Sequence, residues 1–321
     1  MNIKSWIVSF YGSSLPAAVL LLACWVGTIS ASGMTASAHA QPAIERGQFD
    51  VTISSSKVET GGTLVAWVDC RRAKACPQDL RLSFYDQAII TFPHPAKGPA
   101  VQVGLVGIAL TAPPGKTHLS LAWDSGGRRL TQTVSFEIRS GDYGEERLKV
   151  DPRHVRPSPQ DLERNRREQE ELKRIYASGS RSRLWRDAFR LPVSGEVNGA
   201  YGTRRVFNDE LQSHHTGVDF RAQTGDPVQA AASGMVRLSK DLFYSGNTVI
   251  VDHGAGVFSS YLHLSRIDVK PGQKIEKGQT VGLAGATGRA TGPHLHWGVK
   301  VNSINVDPLS FVRVTELVEG G

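Results

Sequence analysis

The sequence lacks several patterns that mark common functional classes. No G-x-x-x-x-G-K stretch is present, so its 33 glycines do not form a phosphate-binding loop of that kind. The 37 lysine and arginine residues are interspersed with 30 acidic residues instead of forming one stripe. This argues against nucleic-acid binding, despite the net charge of +7. No H-E-x-x-H stretch occurs, so the glutamate base of that metalloprotease motif is absent.

A long, continuous hydrophobic run is also missing from the N-terminus. The densest apolar part is residues 17–23, and Pro16 interrupts the stretch before it. This is too short for a membrane-spanning helix. Small residues follow and end in Ala38-His39-Ala40, a cleavage pattern, so residues 1–40 are interpreted as a secretory signal peptide. An uncleaved anchor and lipidation at Cys24 are the alternatives, and each places the mature chain outside the cytoplasm.

Cysteine is scarce, and its distribution agrees with export. Apart from Cys24, only Cys70 and Cys76 are present, with five residues between them. In an oxidising compartment this spacing predicts a local disulfide. No histidine or further cysteine lies nearby to complete a metal site, and two free thiols are the remaining alternative.

The composition that is present predicts a mainly β protein with two domains. Residues 41–140 contain short runs of strand formers separated by glycine- and proline-rich turns, which predicts an immunoglobulin-like β-sandwich. Residues 141–190 are predicted to be a linker with a charged helix that begins at Ser158-Pro159-Gln160-Asp161. We expect this helix to be a solvated connector, followed by an aromatic tether. From residue 191 the pattern is β again, without a long amphipathic helix.

Histidines and one aspartate in the last third form the candidate site. In His294-Leu295-His296 the two imidazoles are two residues apart, so on a strand they point to the same face. His215 and Asp219 have an even spacing too, and share a face if that segment is extended. Imidazole nitrogen and carboxylate oxygen are good zinc ligands, and a catalytic site uses three protein ligands with one open position.

The order of motifs around these residues resembles the lysostaphin-like (LytM-type) zinc metallopeptidases. The similar stretches include His215-Thr216-Gly217-Val218-Asp219, Tyr261-Leu262-His263-Leu264 and Gly292-Pro293-His294-Leu295-His296. The resemblance covers about residues 191–310, and we assign residues 191–315 to a compact antiparallel β peptidase domain.

The resemblance implies a role for each matching residue. His215, Asp219 and His296 correspond to the ligands of one Zn²⁺ per chain. His263 and His294 correspond to two histidines that line the site without binding metal, and one of them is expected to take the proton of the attacking water. Tyr261 lies two residues before His263, and is predicted either to contact substrate or to belong to the core. His214 and His253 are expected to lie outside the site.

The resemblance also implies a zinc endopeptidase whose substrate is peptidoglycan. No separate targeting module for a glycine bridge is evident in the sequence, so we expect the enzyme to cut a D-alanyl–diaminopimelate bond in a Gram-negative periplasm. A non-catalytic activator of a cell-wall amidase is the alternative, and a structural adhesin would not explain the histidines. The N-terminal domain is expected to contact a membrane, a regulatory protein or the cell wall, or to cover the groove.

Overall fold

The computed structural model describes residues 49–73 and 76–320 and shows a mainly β protein, as predicted. The expected signal peptide of residues 1–40, with Cys24, lies outside the described residues. Within those that are described, no helix combines the length and the apolar character needed to cross a membrane.

The N-terminal part consists of two β-sheets around a shared core. Its strands are β1 (Asp50–Ile53), β2 (Lys57–Glu59), β3 (Thr63–Asp69), β4 (Arg81–Phe84), β5 (Gln87–Ile89), β6 (Thr91–His94), β7 (Gly98–Gly107), β8 (Gly115–Ser125) and β9 (Arg128–Arg139). Sheet A has the order β1-β3-β7-β6, and sheet B the order β2-β9-β8-β4-β5. The two layers agree with a sandwich, and its immunoglobulin-like character stays a prediction.

Sheet A is buried on both faces, because it also packs against the C-terminal part. On β3, Leu64, Ala66 and Val68 contact the core shared with sheet B, whereas Val65 and Trp67 belong to the core of the C-terminal part. These alternate residues point to opposite faces of the strand. A fragment that begins at residue 191 would therefore expose apolar surface that sheet A covers in the full chain.

The predicted disulfide is present at the edge of this part. Cys70 and Cys76 are bonded, with their Cα atoms 5.1 Å apart. The bond closes a short loop that begins with a 3₁₀ turn, Arg71–Ala73.

The C-terminal part is built from three sheets and one helix. Its elements are β11 (Val197–Gly199), β12 (Arg204–Phe207), β13 (Leu211–His214), β14 (Val218–Arg221), β15 (Pro227–Gln229), β16 (Gly234–Leu242), β17 (Gly246–Gly254), β18 (Val257–Leu264), β19 (Arg266–Ile267), β20 (Lys274–Ile275), β21 (Thr280–Leu283), β22 (His294–Val301), β23 (Ile304–Val306) and α2 (Pro308–Gly320). The largest, sheet D, has the order β11-β14-β22-β18-β17-β16-β20, with β23 beside β22. Sheet E has the order β15-β21-β19.

Helix α2 contradicts the expectation that no long amphipathic helix follows residue 191. Asp307 caps it by accepting hydrogen bonds from the backbone N–H groups of Leu309 and Ser310, and Pro308 occupies its first position. Phe311 and Val318, seven residues apart on one face, are buried. The start signal, Asp307-Pro308, is present in the sequence, and the 13-residue helix has an ordinary length.

The predicted linker contains β10 (Glu145–Leu148), a 3₁₀ turn (Pro152–His154) and α1 (Pro159–Ala177). Strand β10 pairs in parallel with β12 and forms sheet C, in the order β10-β12-β13. The sequence analysis did not predict this strand. The linker is therefore hydrogen-bonded to the C-terminal part over four residue pairs.

Helix α1 begins where the sequence predicts, because Ser158 accepts a hydrogen bond from the Asp161 N–H at 3.1 Å. A narrow apolar stripe on α1 packs against a cluster on sheet D; the stripe is Leu172, Ile175 and Tyr176, and the cluster is Leu238, Leu242, Ile250 and Phe258. The expected aromatic tether is also present, since Trp185 and Phe189 are buried. The helix is thus a docked element and not the solvated connector that we expected.

Candidate metal centre and groove

The predicted metal ligands and the two predicted catalytic histidines line one groove of about 430 Å³. Sheet D forms its floor, and the loop of residues 289–293 forms one side. Sheet C contributes another side, including Glu146 and Leu148 from β10. Arg289 lies over the rings of Phe207 and Tyr244, at 4.3 and 4.7 Å from their centroids. The linker is thus part of the groove wall.

Three of the side chains converge on a single point in this groove. His215 Nε2 lies 3.0 Å from Asp219 Oδ1 and 2.9 Å from His296 Nδ1, and His296 Nδ1 lies 2.8 Å from Asp219 Oδ1. All three residues are buried. We call these residues the metal triad.

Two local structures bring the triad together. Asp219 on β14 pairs directly with His296 on β22. His215 follows β13, and residues 215–217 belong to no strand, so the even-spacing argument for His215 and Asp219 is wrong. The corresponding argument for His294 and His296 is confirmed, since both lie on β22 and line the groove.

Backbone carbonyls fix the protonation pattern of the groove histidines. Three ring Nδ1 atoms lie near carbonyl oxygens: His215 with Ala200 at 2.7 Å, His263 with Thr287 at 2.8 Å and His294 with Gly292 at 2.8 Å. A carbonyl only accepts, so each Nδ1 carries the proton and each neutral ring keeps the lone pair of Nε2. Fixing the tautomer in this way is typical of metal-ligating and catalytic histidines.

The donor set of the triad fits zinc. Nε2 of His215 and Oδ1 of Asp219 are both hydrogen-bond acceptors, so they repel each other at 3.0 Å unless a cation lies between them. Two imidazole nitrogens and one carboxylate oxygen form a three-residue ligand set of the kind found in catalytic zinc sites. The groove leaves the fourth position accessible.

Burial favours the neutral form of two histidines of the groove, His263 and His296. Desolvation lowers the pKa of His263 to about 3, and the nearby His294 and His296 lower it further. Desolvation also lowers the pKa of His296 to about 4, against the opposing effect of Asp219. For Asp219 itself burial raises the pKa, but hydrogen bonds with the two triad histidines outweigh it and the pKa falls. The triad thus includes a neutral His296 imidazole and an ionised Asp219 carboxylate.

The prediction that Tyr261 contacts substrate is wrong. Tyr261 is fully buried, and its hydroxyl accepts a hydrogen bond from Ala231 N at 2.8 Å and one from Ser259 Oγ at 3.0 Å. His263 has a φ of 62°, in the left-handed region, and the register of β18 against β17 shifts next to it. Because of this bulge, residues two apart no longer share a face. Only His263 reaches the groove.

The other two histidines lie outside the triad, as expected. His214 is exposed at the rim of the groove. His253 is fully buried, and its ring nitrogens lie 2.9 Å from Ser233 O and 2.7 Å from Ser259 Oγ.

Sequence reasoning missed Arg205 and its partner in the linker. The Arg205 guanidinium donates to Asp219 Oδ2 at 2.5 Å and, through Nε, to Glu146 Oε2 at 3.1 Å. Arg205 therefore holds the oxygen of Asp219 that faces away from the triad. Arg205 lies ten residues before His215, and only the pairing of β10 with β12 brings it into contact with Glu146.

Comparisons with known proteins agree with this geometry. The family described as Peptidase family M23 matches residues 213–308, which include all five site residues, four histidines and one aspartate. A crystal structure of an M23 peptidase from Pseudomonas aeruginosa is 32% identical, with a TM-score of 0.60, and the match covers 79% of this chain and 95% of that chain. The chain belongs to peptidase family M23. The lysostaphin-like resemblance predicted from the motifs is thereby confirmed.

Two of the curated relatives are named as endopeptidases. Peptidoglycan DD-endopeptidase ShyA of Vibrio cholerae is 44% identical over 95 residues, covering 30% of this chain and 22% of that protein. DD-carboxypeptidase/endopeptidase Mpg of Neisseria meningitidis is 40% identical over 101 residues, covering 32% of this chain and 23% of that protein. The chain thus matches about a fifth of the length of these relatives.

Proposed function

We propose that the protein is a zinc endopeptidase that hydrolyses peptide cross-links of peptidoglycan in the cell envelope. The observation that carries the proposal is the convergence of His215, Asp219 and His296 within 3.0 Å of one another, in an open groove. The 44% identity to the peptidoglycan DD-endopeptidase ShyA over 95 residues supports the substrate class.

The metal triad would hold one zinc ion. When bound, zinc supplies Lewis acidity that activates water and polarises the peptide carbonyl. Arg205 orients Asp219 through its second oxygen, and the Ala200 carbonyl orients the His215 ring. These contacts hold the ligands in place before substrate arrives.

His263 and His294 move the protons. Their ring centroids are 4.8 Å apart, and the Nε2 of each is free to accept, since Nδ1 is committed to a backbone carbonyl. One of the two takes the proton of the attacking water on Nε2, and this proton then passes to the nitrogen of the leaving amine as the peptide bond breaks. This pair supplies the base that the absent H-E-x-x-H glutamate would otherwise provide.

His294→Ala tests these roles against those of the triad. His294 Nε2 lies 3.8 Å from Asp219 Oδ1, outside the tight triad contacts. We expect His294→Ala to keep its zinc, measured by elemental analysis, but to lose about 10²–10⁴-fold in peptide hydrolysis. His296→Ala is expected to lose the zinc as well. His118→Ala, exposed on β8, is the matched control. Retained turnover in His294→Ala would refute the proton-transfer role.

The bond is proposed to be D-alanyl–diaminopimelate. Muropeptides of defined linkage, digested with the full chain and identified by mass, test this assignment directly. Hydrolysis of another linkage alone would contradict it. A metal-free, inert protein that stimulates a separate amidase would instead favour the non-catalytic alternative.

A further inference from the structure

A second cavity adjoins the groove at the metal triad. It has a volume of about 300 Å³. Thr216, Ser245, Leu262 and His296 line both cavities. One wall of the second cavity is α1, through Gln169, Leu172, Lys173 and Tyr176. A peptide that lies along the groove past the triad would enter this cavity.

Lys300 is the most unusual side chain in the second cavity. It lies on β22, four residues after His296, and its ammonium is 5.0 Å from the centroid of the Tyr176 ring. Burial lowers its pKa to about 8, and burial is the only cause of that shift. Among the described residues, no carboxylate forms an ion pair with Lys300, and no aspartate or glutamate lines the cavity.

A half-buried cation without a carboxylate is unfavourable unless something compensates for its lost hydration. The contact with Tyr176 compensates in part, because the aromatic face attracts an ammonium. The remaining lining is polar and includes the side chains of Gln169 and Asn305, with Lys173 as a second cation on the exposed side of α1. The cavity therefore has the chemistry of an anion site.

We propose that this cavity is a subsite that binds a carboxylate of the substrate peptide, with Lys300 as the residue that receives it. The proposal rests on the proposed function, since a D-alanyl–diaminopimelate cross-link carries free carboxylates beside the bond that is cut. Two sources share this chemistry: a C-terminal carboxylate of the stem peptide and the side-chain carboxylate of diaminopimelate. Helix α1 then completes a specificity pocket, beyond its role in connecting the two parts.

Synthetic cross-linked peptides test the subsite. One has all carboxylates free, one is amidated at the C-terminal carboxylate and one at the diaminopimelate carboxylate. The full-length wild type is compared with Lys300→Met and with Lys274→Met, an exposed lysine on β20, as the matched control. Methionine has a similar volume and removes the charge, so we expect Lys300→Met to fold and to keep its zinc.

On the peptide with all carboxylates free, we expect Lys300→Met to reduce kcat/KM about tenfold, mainly by raising KM. This is the effect expected for the loss of one charge-assisted hydrogen bond. Amidation of the recognised carboxylate should lower the kcat/KM of the wild type by a similar factor. On that peptide the wild type and Lys300→Met should then have the same kcat/KM. The amidated peptide that shows this effect identifies the source. Equal kcat/KM for wild type and Lys300→Met on every peptide would overturn the subsite.

A binding measurement separates this proposal from the proposed function. Calorimetric titration of the full chain with an uncleavable stem tetrapeptide, with free or amidated carboxylates, needs no turnover. Weaker binding of the free form by Lys300→Met supports the subsite even if no cross-linked peptide is cleaved, an outcome that would refute only the endopeptidase. Equal binding by both proteins refutes the subsite, whether or not the peptides are cleaved.

Discussion

Glu168 is the residue whose removal best tests whether α1 is a structural part of the peptidase. It is buried, on the side of α1 that faces sheet D. Its carboxylate accepts a hydrogen bond from the Phe243 N–H at 2.9 Å and another from Arg164 Nε at 2.7 Å. In Glu168→Ala the buried Phe243 N–H has no acceptor, and the Arg164 guanidinium keeps only Asp241.

The expected cost follows from these contacts. Leaving a buried donor without a partner costs about 1–3 kcal/mol, and a hydrogen bond to a charged group is at the upper end of the usual range. We therefore expect Glu168→Ala to lower the free energy of unfolding by about 3 kcal/mol. For a chain of this size, each kcal/mol shifts the melting temperature by roughly 2–4 °C, so the melting temperature should fall by about 6–12 °C. Glu168→Gln keeps an acceptor and should lose less.

Glu171→Ala is the matched control on the same helix. Glu171 forms an exposed ion pair with Lys240 at 2.6 Å, and such pairs contribute about 0–1 kcal/mol. The assay is thermal unfolding of the full chain, followed by near-ultraviolet circular dichroism and repeated in urea. If Glu168→Ala and Glu171→Ala have the same melting temperature, α1 is the solvated connector that the sequence suggested, and the docking of α1 on sheet D is refuted.

Two further predictions concern buried polar groups. Tyr261→Phe removes the acceptor of the Ala231 N–H and should lower the free energy of unfolding by about 1–3 kcal/mol while leaving KM unchanged; a raised KM at unchanged stability would restore its substrate role. Burial lowers the pKa of His253 to about 4, so as the pH falls from 6.5 to 4 the unfolded chain takes up a proton that the folded chain does not. Stability should therefore decrease through this window, and His253→Gln should decrease less between about pH 7 and about pH 4.5 in urea titrations. If the wild type and His253→Gln lose equal stability over this pH range, the pH dependence does not come from His253.

The parts of the fold that could be predicted are those with strong local patterns. Alternating strands, the cap at Ser158 and the spacing of Cys70 and Cys76 all reflect interactions between residues close in the chain. The paired histidines of β22 belong to the same class, since strand geometry alone places His294 and His296 on one face.

The rest depended on contacts that sequence spacing does not contain. The expectation that residues two apart point to the same face of a strand was wrong for Tyr261 and His263. A positive φ at His263 and a register shift in β18 turn the two side chains to different faces. The contact of Arg205 with Glu146 joins residues 59 apart in the chain, through a parallel strand pair. The charges on α1 suggested a solvated helix, and only sheet D supplies the partner for its narrow apolar stripe.

The parallel pairing of β10 with β12 also sets an order of assembly. A chain synthesised from its N-terminus presents residues 145–148 well before residues 204–207, to which they bind. Contacts between distant segments form late, because loop closure must precede them. The wall of the groove that contains Glu146 and Leu148 therefore exists only once β12 has paired with β10. A chain that ends before β12 would lack this wall.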